Sequence, residues 1–217
     1  MWASVIEALK SILQGFYGVT GSYGLAIVLL TLLFHVVLLP VTIAQNRSMR
    51  KMQEIQPEIN KLQKKYEKDK TRLNQEMMKL WKENNVNPMG GCLPMLVQFP
   101  IMIAIFYTLR DFDFAGQGIF LWIPDLAMPD PLRILPILAG VTTFLHSKFS
   151  MPASAAAGGT QATMVYVMPV FIAVISMGFP AGLAIYWVVS NVFRLAQHYL
   201  IDLPGLNRER TNTAGEK

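Results

Sequence analysis

Apolar residues gather along this chain into five long segments, roughly Tyr23 to Ala44, Leu93 to Leu109, Leu132 to Leu145, Met164 to Phe179 and Leu183 to Ile201, and most of the charge lies between them. A hydrocarbon core needs about 20 residues of helix, so the second, third and fourth segments draw on flanking residues to cross it. The third is short, with Thr142, Thr143 and His146 toward its end. A re-entrant segment is the alternative there, but it would upset the orientation reached below, and a span is retained. The pattern predicts an all-α polytopic membrane protein with five transmembrane helices in a core over residues 21–202.

Before the first segment, Trp2, Val5, Ile6, Leu9, Ile12, Leu13 and Phe16 recur at helical spacing. The basic start and small-residue cleavage site of a secretory signal are missing, so residues 1–20 read as an extracytoplasmic amphipathic helix in the membrane interface. Between the first two spans, Met52, Ile55, Ile59, Leu62 and Tyr66 follow 3, 4, 3, 4 spacing, and Leu73, Met77 and Leu80 continue it after Lys68-Asp69-Lys70. One apolar seam on each of two short helices predicts an antiparallel helical hairpin over residues 46–86. A solvated connector and a docking element for partners are equally open readings of its charge. The Ala/Gly/Ser-rich stretch in the 148–163 loop and the short tail 203–217 read as flexible.

Orientation follows from charge. Eleven of the 19 Lys and Arg residues lie between the first two spans, from Arg47 to Lys82. The positive-inside rule makes that loop cytoplasmic, which puts the N-terminus and the 111–131 loop outside and the 148–163 loop and C-terminus inside. Composition agrees with a bilayer as solvent: 53% of residues are hydrophobic and 15% charged, against about a quarter charged in ordinary soluble domains. Cys92 is the only cysteine, so an intrachain disulfide is excluded and no activating partner for it is apparent.

Polar residues inside spans normally face a bundle interior or a wet cavity. On the first span Thr31, His35 and Thr42 share a stripe; on the third Thr142, Thr143 and His146 do; on the fifth Tyr186, Ser190, Asn191, Arg194, Gln197 and His198 form the longest; the second adds Gln98. For the threonines the plainer reading is preferred, a hydroxyl bonded to its own helix backbone. Arg194 is different, because no acidic residue occurs in any span to pair with it, and a hydrated cavity open to the cytoplasm would solvate it. The lack of intramembrane carboxylates argues against an ion-coupled transporter, and His35, His146 and His198 lie on separate segments without an HExxH or GxSxG motif, which argues against an enzyme. Met95, Met102, Met164, Met168 and Met177 supply adaptable apolar surface suited to varied clients, although methionine is also a common gap filler.

Four stretches then resemble the YidC/Oxa/Alb membrane insertases over about Gly18 to Ile201: LLPVTIAQNRSMRKMQEIQPEI from Leu38, NPMGGCLPMLVQFPI from Asn87, WIPDLAMPDPLRILPILAGVTTF from Trp122 and FPAGLAIYWVVSNVFRLAQHYLI from Phe179. The resemblance implies a five-helix core with a hydrophilic groove open to cytoplasm and lipid and closed outside, through which client segments enter the bilayer with neither ATP nor a metal. Newly made membrane proteins and the lipid bilayer are the implied partners, with the Sec translocon, the ribosome and the signal recognition particle pathway as further candidates. The implied location is the bacterial plasma membrane. One departure concerns the groove's charge: the family typically carries arginine five residues before the proline matching Pro40, where this chain has His35, and a neutral residue where it has Arg194. The groove's cation is therefore expected to have moved from the first span to the fifth. A second departure is the tail, where Arg208, Arg210 and Lys217 are offset by Glu209 and Glu216, so strong binding to ribosomal RNA through it is not expected. A small channel or transporter is the alternative from another class.

Overall fold

The computed structural model describes residues 2–84, Val86, 93–114, 118–150 and 160–202; within these, the side chains of Arg47, Met49, Arg50, Gln53, 93–97, 150, 160–164 and 201–202 fall outside the description. Among the described residues the fold is all-helical. Nine α-helices follow in chain order: α1 (Trp2–Thr20), α2 (Tyr23–Val37), α3 (Leu39–Glu54), α4 (Gln56–Lys65), α5 (Lys70–Glu83), α6 (Leu93–Arg110), α7 (Ile134–Ser150), α8 (Thr160–Ser176) and α9 (Ala181–Gln197), the last running into a π-helical turn at His198–Asp202.

The buried core is assembled from Leu9 and Leu13 of α1, Ala26, Ile27 and Leu30 of α2, Ala104, Ile105 and Leu109 of α6, and Leu183 to Tyr186 of α9. Helix α7 packs between α8 and α9. Close approach is made possible by small residues. A Cβ at Gly140 would lie 2.8 Å from Ala173 Cβ and 3.0 Å from the Pro169 carbonyl on α8, and one at Gly182 would meet Ile27 and Leu109 at 3.1 Å. In an apolar solvent burial supplies little drive between helices, so dispersion contacts at such positions hold the bundle together.

The outward surface is the reverse of a soluble protein's. Leu33, Val36 and Val37 on α2, Ile137 and Val141 on α7, and Val167, Val170, Phe171 and Val174 on α8 are all exposed, Val170 to 64%. An apolar coat this continuous suits hydrocarbon rather than water. Even so, among the described residues no single helix is long and apolar enough to cross a membrane; one bent pair, Tyr23–Val37 with Leu39–Asn46, passes that test together with a 59° bend between its parts. The sequence pattern read Tyr23 to Ala44 as one continuous span. The break at Leu38 follows from Pro40, whose ring removes an N–H and collides with the carbonyl one turn earlier.

A second break separates α3 from α4 at Ile55, just ahead of Pro57 at the start of α4. The apolar seam from Met52 onward is thus carried by two helices rather than one. Ile55, Ile59 and Val86 are buried there, with Met52, Met77, Leu80 and Trp81 packed around them. Helix α5 begins at Asp69, whose carboxylate accepts from the Arg72 N–H (3.0 Å) as an N-cap.

The opposite end is covered by residues 118–133. Asp130 is buried, and its carboxylate accepts from Leu132 N–H (3.1 Å), Leu135 N–H (2.8 Å) and the Trp122 indole N–H (3.0 Å), pinning the loop to the start of α7. The carbonyls of Met128 and Leu126 accept from Ala181 N–H (2.8 Å) and Gly182 N–H (3.0 Å), so the loop backbone also caps α9. Ile123 and Leu126 are buried in the core, and the Phe120 ring lies so close over Gly24 that a Cβ there would overlap it at 2.1 Å.

Candidate functional site

Helix α9 is the spine of the polar interior. Tyr186, Ser190, Arg194 and Gln197 recur every three or four residues and so share one face, while Trp187 and Asn191 occupy the adjoining face toward α7. Three groups of contacts follow along the helix.

The first joins α9 to α6. The Gln98 side-chain amide donates to the Tyr186 hydroxyl, and its carbonyl oxygen accepts from the Arg194 guanidinium. Among the described residues no carboxylate pairs with Arg194. Its charge is within electrostatic reach of His35 and His146. The Ser190 hydroxyl is buried one turn from Tyr186.

The second joins α9 to α7. The Asn191 amide lies 2.9 Å from Thr143 Oγ1 and 3.2 Å from Thr142 Oγ1, and the Trp187 indole N–H donates to Thr143 Oγ1 at 3.0 Å. Each threonine also donates to its own helix, Thr142 to the Leu138 carbonyl (2.7 Å) and Thr143 to that of Ala139 (2.6 Å).

The third faces the bent pair α2–α3. Gln197 Nε2 donates to Thr42 Oγ1 at 3.3 Å, and the buried His35 ring packs on Phe193, with centroids 4.9 Å apart, while its Nδ1 lies 2.9 Å from the Thr31 carbonyl. Thr31 donates to the Ile27 carbonyl at 2.7 Å and to no other helix.

The residues singled out in the sequence thus gather as a set around α9, though not as one hydrogen-bonded network: Gln98 with Arg194, Thr142 and Thr143 with Asn191, and Thr42 with Gln197 are joined directly, whereas His35 and Thr31 bond within their own helix. Tyr186, Trp187 and Phe193 are the contributors that were not singled out as site residues. Tyr186 was visible in the polar stripe; the other two look like ordinary apolar residues until the helix contacts are known. The methionines are dispersed. Met102 packs partly buried against the core, Met168 is partly exposed on α8 and Met177 is exposed just past its end; Met95 and Met164 lie outside the described side chains, as does Cys92.

The arrangement holds one cation in a neutral hydrogen-bonding setting inside an apolar-coated bundle, beneath an end covered by a packed loop.

Comparison with known proteins points the same way. The family model for the 60Kd inner membrane protein matches residues 15–206. The chain is 47% identical to the membrane protein insertase YidC of Clostridium perfringens, covering 89% of this chain and 84% of that one, and 40% identical to the membrane protein insertase MisCA of Bacillus subtilis, covering 98% and 84%. Among solved structures it is similar to an active YidC insertase with its first transmembrane domain resolved, at a TM-score of 0.75 and 28% identity over 92% of this chain; the chain spans 47% of that longer one.

Proposed function

This chain belongs to the 60Kd inner membrane protein family, the YidC membrane protein insertases, and from that premise we propose that it guides apolar segments of client proteins into the bilayer through a hydrophilic groove lined by α9. The observation that carries the reading is the solitary Arg194, bonded to the neutral Gln98 inside an apolar-coated bundle. A client's polar tail meets hydrogen-bonding groups and water part-way across, which lowers the cost of taking those groups through hydrocarbon. The apolar client segment meanwhile moves along the lipid-facing edge of the bundle, where the partly exposed Met168 and the exposed Met177 supply adaptable contact. Binding and local solvation do this without covalent chemistry.

Five spans, an outward N-terminus, a cytoplasmic C-terminus and a cytoplasmic α4–α5 hairpin complete the proposed topology. The excess of Lys and Arg between the first two spans supports it. The Sec translocon, the ribosome and the signal recognition particle pathway are candidate partners at that hairpin and the cytoplasmic mouth of the groove.

The groove's cation is proposed to be Arg194 in place of a first-span arginine, with His35 as a packing residue against Phe193. The test is insertion of a single-span client with an acidic outward tail into liposomes containing only this protein, read as protease protection of the tail. Arg194→Ala is expected to lower protection about tenfold, roughly the loss of one close charge contact, and His35→Ala to lower it much less. Equal protection by Arg194→Ala and wild type, with failure of His35→Ala, would overturn the assignment. Protection no better than empty liposomes with folded, oriented protein would favour the channel reading.

A further inference from the structure

Residues 118–133 close one end of the bundle, yet they lack the make-up of a loop that meets water. They carry three charged side chains and no Ser, Thr, Asn or Gln. Asp130 is buried and Asp125 partly so, which leaves Ile119, Leu121, Met128, Leu132 and three prolines on the surface, with Arg133 as the one exposed charge of this stretch. Apolar surface gathered in this way marks an interaction or membrane site. Leu121 is 71% exposed at the corner of a tight turn, with a φ of 54° that Gly or Asn would adopt at less cost. The backbone is turned inward as well. Phe120 and Ile123 exchange N–H to carbonyl bonds at 2.9 Å, Leu126 donates to the Gly118 carbonyl at 3.1 Å, Arg133 to that of Asp130 at 3.1 Å, and Ala127 to the Asp125 carboxylate at 2.9 Å. Pro124, Pro129 and Pro131 have no N–H to satisfy. A segment that satisfies its own polar groups in this way needs little from water.

Its neighbours say what lies against this surface. Ile134, Ile137, Leu138, Val141 and Leu145 form one exposed apolar face of α7, which runs at its outer end into Leu132. The Trp122 indole N–H on Asp130 (3.0 Å) ties the 120–123 turn to the same corner. Helix α7 has 17 residues, about 25 Å at roughly 1.5 Å per residue, against a hydrocarbon core of about 30 Å. The helix is thus short for the bilayer at the place where the apolar surface continues onto the loop. We propose that residues 119–132 form a lipid-seated cap: Ile119, Leu121, Met128 and Leu132 enter the boundary between headgroups and acyl chains of the nearer leaflet and supply the apolar height that α7 lacks. Arg133 follows directly, and its long side chain reaches from that boundary to the lipid phosphates. The cap rests on the five-span topology proposed above and is independent of what passes through the groove.

The experiment uses the full chain with Cys92→Ser and one new cysteine, Leu121→Cys, Met128→Cys or Leu132→Cys, labelled with bimane in liposomes of phosphatidylcholine and phosphatidylglycerol. All three positions are exposed, so the substitutions leave the core intact. Val170→Cys on the apolar surface of α8 and Lys68→Cys on the charged hairpin are the references. Quenching is read with a phosphatidylcholine that bears a nitroxide high on its acyl chain, and separately with iodide on both sides of the membrane. The three loop labels are expected to be quenched by the nitroxide lipid as strongly as the Val170→Cys label and severalfold more than the Lys68→Cys label, and by iodide severalfold less than the latter. Loop labels that behave as the Lys68→Cys label does with both quenchers would overturn the cap while the topology stands. Loop labels that resist both quenchers would also overturn it, because protein, such as a second copy of this chain, then covers the loop. If the Val170→Cys label itself behaves as the Lys68→Cys label does, the cap and the five-span topology are overturned together.

Discussion

A hydroxyl inside a membrane helix can be satisfied in two ways, and the threonines of this bundle divide between them. Thr31 donates to Ile27 and stops there, whereas Thr143 donates to Ala139 and also accepts from Trp187 while lying 2.9 Å from the Asn191 amide. The two should respond differently to the same change. Thr143→Val leaves the Trp187 N–H without its acceptor and removes the nearer of the two threonine partners of the Asn191 amide, and is expected to cost about 1–2 kcal/mol, whereas Thr31→Val, at a more deeply buried position, should cost under about 0.5 kcal/mol. Unfolding of the two variants in detergent under identical conditions checks this, and indistinguishable midpoints would contradict it. The first half of this behaviour was legible in the sequence, because bonding to the carbonyl four residues back depends only on being helical. The second half was not: which threonine oxygen also accepts depends on which face of α7 meets Trp187, and an apolar indole at that position carries no sign of a polar duty. Arg194 was the most legible residue of all, since an unpaired charge in an apolar run is costly wherever the helix lies.

At the scale of elements, prolines and glycines decide where the helices bend and how near they come. The break ahead of Pro40 is more than a gentle kink: the chain turns by 59° around Leu38, so a segment that hydropathy reads as one span becomes two helices. Hydropathy averages over a window and is blind to direction. Gly140 is the element-scale counterpart on α7. Its neighbours are Ala173 Cβ and the Pro169 carbonyl, backbone that cannot rotate aside. Gly140→Ala is therefore expected to push α7 from α8 and destabilise by about 1–3 kcal/mol, seen as a lowered unfolding midpoint. Gly18, with open space around it, should accept Ala with no loss, and comparison of the two separates close packing from helix propensity. At the start of α7, Asp130→Ala would leave two backbone N–H groups and the Trp122 indole without their acceptor, an expected loss of about 3 kcal/mol. Asn there retains one acceptor oxygen and should lose less.

Across the whole molecule the two ends differ in kind. One end carries the charged helices α4 and α5 around a small satellite core, and the other is folded over by residues 118–133, whose Ile123 and Leu126 belong to the main core. Under the proposed topology the covered end faces outward, and loosening it should open a leak: liposomes bearing Asp130→Ala are expected to lose an imposed proton gradient faster than those bearing wild type, by severalfold. Equal decay with both proteins reconstituted at the same density would show that the Asp130 pin is not what closes that end. A loop over residues 111–131 was readable from the gap between the second and third apolar segments, but that it contributes to the core was not, since Ile123 and Leu126 are too few to make a hydrophobic period. The link from this loop to α9 is made by the carbonyls of Leu126 and Met128 and the N–H groups of Gly182 and Ala181. These atoms are present whatever side chains those positions carry, proline at 181 or 182 excepted. Mutation can therefore rewrite the outer surface of the loop extensively and still leave its anchorage to α9 intact. Under the proposed topology the outer end is thus closed through the path of the main chain, which side-chain changes at those four positions leave in place.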